Sequence, residues 1–137
     1  MTIDELHAFL ERAFAGSTQI YEVTAVSAEG VNLRYRVTAQ NERPGGTVSG
    51  PTMMSMADTA AWLAVVAQIG PVALAVTTSL HIDFLRKPAM EDLVAVGTLL
   101  KLGKQLAVVD VALASISTPE TLVAKAQVTY SIPPRRD

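Results

Sequence analysis

One apolar run with a single acid inside it constrains this chain more than any other feature. From Ser49 to Gly70 the sequence is SGPTMMSMADTAAWLAVVAQIG, and between Pro44 and Ile82 the only Asp, Glu, Lys or Arg is Asp58. Met53, Met54, Met56, Ala57, Ala60, Trp62, Leu63, Val65 and Val66 fall on nearly every face of a helix, so such a helix must be covered on most sides. Pro51 suits the first helical position, with Gly50 near the N-cap, and Gly70-Pro71 stops the helix. An ionised carboxylate there is costly unless something pairs with it or uses it. Asp58 is therefore a candidate functional group, against the duller alternative of a structural acid held by a backbone N–H or an arginine.

The rest of the chain supplies the cover. Thr2 and Glu5 fit a capping box, followed by Leu6, Phe9, Leu10 and Phe14 at helical spacing, which predicts an N-terminal helix over 3–15. YEVTAVSAEGVNLRYRVTA predicts a hairpin turning at Glu29-Gly30, and QNERPGG a loop. Four more strand-like segments follow. In AVTTSLHIDFL, the residues Val76, Thr78, Leu80, Ile82 and Phe84 alternate against Thr77, Ser79, His81 and Asp83. EDLVAVGTLLKLG turns through Gly103-Lys104 into LAVVDVALASIS, and TLVAKAQVTYSIP is the cleanest alternation. PPRRD is expected as a frayed tail. Short links make the sheet mostly antiparallel, and covering the helix requires that sheet to curl around it. The expectation is a single α+β domain over 1–137. A half-wrapped sheet leaves an edge strand and apolar surface open, which a second copy would cover. A hydrophobic fraction of 50% against 18% charged residues leans the same way, toward a homodimer.

Several function classes are set aside. The net charge of -2 with no basic run argues against nucleic acid as a partner. With no cysteine and only His7 and His81, no disulfide scaffold, thiolate chemistry or metal site is expected. Asp4 and Glu5 stand where a secretory signal would carry basic residues, and Gln68 and Gly70-Pro71 interrupt the apolar run, so no membrane span and a cytoplasmic location are expected.

The order β-β-helix-β-β-β-β, with GGTVSGPTMMSMADTA, AVTTSLHIDFLRKP, LLKLGKQLAVVDVAL and LVAKAQVTYSI, closely resembles the hot-dog-fold acyl-CoA thioesterases of the phenylacetate (PaaI-like) group, over roughly residues 20 to 133. The resemblance implies a curved antiparallel sheet wrapped around one long buried helix, a homodimer or dimer of dimers, and hydrolysis of an acyl- or aroyl-CoA. Coenzyme A enters as part of the substrate and no cofactor is implied. Matched back from the MAD triplet, Asp58 falls on the family's catalytic carboxylate. Gly50 falls on the first glycine of its His-Gly-Gly, whose N–H polarises the thioester carbonyl. Ser49 stands in place of the histidine, Pro51 in place of the second glycine and Arg43 where an asparagine is expected, with Asn41 two residues earlier. Thr77 matches a Ser/Thr position that reaches the site from the other subunit.

The chemistry suits these residues. A helix N-terminus offers free N–H groups and partial positive charge to a developing oxyanion. Asp58 can serve as general base on water or as nucleophile, and burial strengthens a carboxylate in either role. Gly50 and Asp58 are roughly 12 Å apart along one helix at 1.5 Å per residue, so they meet only if two copies share a site. Arg86 and Lys87, at a strand end, are candidates to hold coenzyme A phosphates. Ser49 and Thr52 also suit a helix start, His81 the polar face of a strand, and the methionines a core or an adaptable acyl pocket. A non-catalytic acyl-CoA or small-ligand binder on the same scaffold is the alternative, favoured by the changed residues Arg43, Ser49 and Pro51.

Overall fold

The computed structural model describes residues 1–134; Arg135, Arg136 and Asp137, the end of the expected frayed tail, lie outside the described residues. A six-stranded antiparallel sheet in the order β1-β2-β6-β7-β8-β5 curves around one long helix. In chain order the elements are α1 (Ile3–Ala13), β1 (Tyr21–Ser27), β2 (Gly30–Tyr35), β3 (Glu42–Arg43), β4 (Thr47–Val48), α2 (Gly50–Ile69), β5 (Val76–Phe84), β6 (Leu93–Leu102), β7 (Leu106–Ser115) and β8 (Leu122–Ser131).

The capping box closes as its spacing predicts: Glu5 N donates to Thr2 Oγ1 at 3.1 Å, and Thr2 N to Glu5 Oε1 at 3.0 Å. Leu6, Phe9 and Leu10 of α1 are buried, and Phe9 tilts against Trp62 of α2 with ring centroids 5.0 Å apart. In α2 every residue from Ala60 to Ala67 is buried, each leucine or valine among them stabilising the fold by about 1.5–3 kcal/mol. Its first two turns differ. Pro51, Met54 and Ser55 are exposed, because within one chain the sheet does not reach around that side.

Two details depart from the sequence-based expectation. Ser49 is the N-cap and Gly50 the first helical residue, so Pro51 sits one place further in. The QNERPGG segment carries β3, which pairs with β4 just after it, both strands two residues long and too short for any periodic signal.

In the strand after α2 a single extra residue breaks the expected alternation near its start. Leu80, Ile82 and Phe84 pair with Val128, Ala126 and Ala124 of β8, as simple alternation requires. Between Thr77 and Ser79 the ladder takes in an extra residue, Thr78, and Thr77 comes to lie opposite Tyr130. The bulge shifts the face that Thr77 presents. Thr78 Oγ1 donates to the Thr129 carbonyl at 3.2 Å. β5 is an outer strand of the sheet, and Val76, Phe84 and Leu85 are half-exposed along it.

Close backbone approach fixes the opposite end. A Cβ on Gly97 would stand 3.3 Å from the Ala60 carbonyl oxygen, so β6 and α2 pack tightly there. Gly30 has φ +153°, and a Cβ on it would lie 1.8 Å from the Gly97 carbonyl oxygen. Gly30→Ala should therefore destabilise the protein by about 3 kcal/mol or more, lowering Tm by about 10 °C in a thermal melt. A variant that melts like wild type would show that β2 and β6 are not packed this closely.

Candidate active site

Asp58 lies just over two turns into α2, half-buried rather than enclosed. Thr77 Oγ1 donates to Asp58 Oδ1 at 2.6 Å, and Tyr130 Oη donates to the same oxygen at 2.7 Å. Tyr130 Oη also lies 3.1 Å from the Asp58 carbonyl oxygen. Because Thr77 and Tyr130 are register partners on β5 and β8, their side chains share the face that looks at α2. The resemblance implied that Thr77 approaches from a second subunit. It reaches the Asp58 of its own chain instead, because the bulge turns it inward. Burial, reinforced by the carboxylate it bonds and opposed by Thr77, pushes the Tyr130 phenol far above its ordinary range, so it stays a neutral donor.

Beside the carboxylate is a cleft of about 300 Å³, walled by Phe14, Trp62, Ala75, Val76, Thr77 and Tyr130 among others. Phe14, the C-cap just past α1, meets Trp62 edge-on with centroids 5.6 Å apart, yet remains 62% exposed, so it forms an aromatic lip to the cleft. An apolar cleft with one anchored carboxylate can hold a greasy group and present its reactive carbon to a base or nucleophile. Sequence reasoning placed Tyr130 in the core and Phe14 on a helix face, and missed both as site residues. A phenol on a buried strand face needs a polar partner, and that was the available signal.

The second cluster surrounds the start of α2. Ser49 Oγ accepts from Thr52 N at 3.3 Å and is 2.8 Å from Thr52 Oγ1, so Ser49 is occupied as a cap. Asn41 Nδ2 donates to Tyr35 Oη at 2.9 Å and to Thr52 Oγ1 at 3.3 Å, while Ser49 N donates to the Asn41 carbonyl at 2.8 Å. Asn41 thus braces the helix end from inside. No described residue accepts from the Gly50 N–H, and Pro51 has none to offer. Arg43, Gly50, Phe84, Arg86 and Lys87 line a cleft of about 210 Å³. The Phe84 ring passes 3.5 Å from where a Gly50 Cβ would be, and Arg86 Nη1 donates to the Leu122 carbonyl.

The structure thus gathers the candidates into two groups. Asp58 and Thr77 share one cleft, Gly50, Arg43, Arg86 and Lys87 another, and one chain does not bring the groups together. His81 belongs to neither; its Nε2 is 3.1 Å from Asp83 Oδ2 on the exposed outer strand. Among the described residues no group of three or more His, Cys, Asp or Glu could hold a metal ion, and no helix is long and apolar enough to cross a membrane.

Residues 45–119 match the family model of the thioesterase superfamily. The chain belongs to that superfamily. A proposed thioesterase of Silicibacter sp. TM1040 is 42% identical, with 98% of this chain and 93% of that one covered and a TM-score of 0.90. Zebra fish thioesterase superfamily member 2 is 19% identical over 97% of this chain and 99% of its own, with a TM-score of 0.84. The E. coli PaaI protein from the phenylacetic acid degradation operon is 24% identical over 92% and 94%, with a TM-score of 0.76. The last two share the fold. No curated protein matches the chain. The architecture is the hot-dog fold that the motifs implied, and superfamily membership supports thioester hydrolysis as the general chemistry.

One further phenol reports on the site's surroundings. Tyr21 is 9% exposed, lies edge-on to Tyr35 with centroids 5.2 Å apart, and accepts from Thr59 Oγ1 at 3.3 Å. Burial pushes its pKa up from 10.0 to about 12, with Tyr35 and Asp58 adding and Thr59 opposing. The folded state favours the neutral phenol, so its stabilisation is fully present below pH 10 and lost as pH rises toward 12. Urea unfolding at pH 9 and pH 11 should show wild type losing about 1 kcal/mol more than Tyr21→Phe over that interval. Equal losses would mean that Tyr21 is not held neutral by the fold.

Proposed function

We propose that the protein hydrolyses an acyl- or aroyl-CoA thioester to the free acid and coenzyme A, as a homodimer or dimer of dimers in which two copies share each site. The observation that carries this reading is Asp58, a carboxylate fixed through one oxygen at the edge of an apolar cleft in a thioesterase-superfamily chain.

Asp58 activates water as a general base, so that hydroxide adds to the thioester carbon and the coenzyme A thiolate leaves, or it attacks that carbon itself, expelling the thiolate and forming a mixed anhydride that water opens to the free acid and the regenerated carboxylate. The carbonyl oxygen needs a donor as it gains charge. The unbonded Gly50 N–H at the start of α2 is suited to that task, helped by the positive end of the helix. A donor of this kind contributes ~3 kcal/mol to the transition state, and Pro51 leaves the helix end with fewer of them than a second glycine would. Arg43, Arg86 and Lys87 beside Gly50 offer three cations to the phosphates of coenzyme A. No cofactor is called for, because coenzyme A arrives as part of the substrate.

Seven residues of helix lie between Gly50 and Asp58, so in this reading the carboxylate of one copy works with the glycine end of the other. The half-exposed Val76, Phe84 and Leu85 along an outer strand, with Met54 uncovered on α2, support pairing of copies on that side.

Two measurements test this. A screen of acyl- and aroyl-CoA esters with free thiol as the readout should show turnover that Asp58→Asn reduces by about a thousandfold or more without changing the oligomer. Retained turnover in that variant would remove Asp58 from the chemistry, and tight binding by wild type without thiol release would favour the non-catalytic binder instead. Co-expression of Asp58→Asn chains with Arg43→Ala/Arg86→Ala/Lys87→Ala chains should restore, at low substrate, activity that neither parent shows. A hybrid dimer then keeps both halves of one site intact. No recovery in verified hybrids would sink the shared site.

A further inference from the structure

We infer that Tyr130 is a positioning residue for Asp58: with Thr77 it clamps Oδ1 and leaves Oδ2 as the oxygen that meets water or the thioester. This rests on the proposed function and deepens it by naming the reacting atom and the group that selects it.

The geometry is specific. Two hydroxyls from different strands converge on one carboxylate oxygen at 2.6 and 2.7 Å, and no described residue bonds Oδ2. A carboxylate held at one point can rotate about its own axis; one held by two donors from two directions cannot do so without losing a bond. Tyr130 is the firmer of the two donors. It is 4% exposed and sits on an inner strand flanked by β5 and β7, and its single O–H goes to Oδ1 at 2.7 Å, with the Asp58 carbonyl oxygen 3.1 Å from Oη. Thr77 lies on the outer strand and is exposed. Thr77 owes its place in the site to the bulge at Thr78, which sets it opposite Tyr130.

A merely structural tyrosine and a positioning one differ in what their loss disturbs. Tyr130→Phe removes one oxygen and keeps the ring in the core. Under the inference kcat falls about tenfold while KM stays within about twofold, since the donor acts on the reacting carboxylate and not on substrate binding. Thr77→Val lowers kcat in the same way, Thr77→Ser restores it, and the double variant loses less than the product of the single losses, because both hydroxyls serve one oxygen. Independently of turnover, the carboxyl-carbon resonance of Asp58, read at one neutral pH in labelled protein, moves in Tyr130→Phe and stays in place in Tyr35→Phe. Unchanged kcat in Tyr130→Phe, or a loss fully explained by a smaller folded fraction with an unmoved Asp58 resonance, overturns the inference. If wild type hydrolyses no thioester, the proposed function falls while the resonance still decides whether Tyr130 holds Asp58.

Discussion

The contact on which the site depends is the meeting of two hydroxyls with one carboxylate oxygen between α2 and the sheet. It answers the problem that the sequence poses, an acid on an otherwise apolar helix. Asp58 is neither wholly buried nor ion-paired with a cation; the chain satisfies it with neutral donors instead. A neutral clamp leaves the negative charge in place, where an arginine would have neutralised it. The acid therefore stays available for chemistry while its orientation is fixed. The same contact ties the middle of the helix to an outer strand and to the strand beside it, so local order and chemical competence rest on the same atoms.

A second constraint is distance. The residues suited to an oxyanion and to phosphates cluster at the start of α2, and the acid lies beyond them along a stiff rod. A helix cannot fold back on itself to close that gap. One side of the first two turns, where Pro51, Met54 and Ser55 are exposed, and the apolar outer strand are the surfaces that the proposed pairing would cover. Under the proposed shared site, incompleteness of the site and of the burial would have one remedy.

Much of the fold was legible because strong periodic signals had no competitor. The capping pair Thr2 and Glu5, the stop at Gly70-Pro71 and the hairpin turns all depend on neighbours in sequence, and they stand where local chemistry puts them. What sequence reading missed depends on partners far along the chain. The inward face of Thr77 is decided by its pairing with Tyr130, and no pattern within β5 reveals the extra residue. Tyr130 itself looked like one more apolar position in a clean alternation, since its oxygen acquires meaning only when α2 is laid over it. Asp58 stands out because it breaks a local expectation, an acid amid grease, whereas Gly50 is marked only by the resemblance of its segment to the family's loop. Arg43, Arg86 and Lys87 could be named but not grouped until the loop and the strand end were folded together.

The extra residue in β5 has a corollary for how this site varies. Positions 77 and 78 are both threonine. Were the insertion to migrate by one step, the neighbour would swing toward the acid and the first would swing away, and a hydroxyl would still arrive. Duplicating the side chain makes the local geometry degenerate: slippage there exchanges one alcohol for its twin. The phenol has no such twin, since its neighbours on β8 are the shorter Thr129 and Ser131.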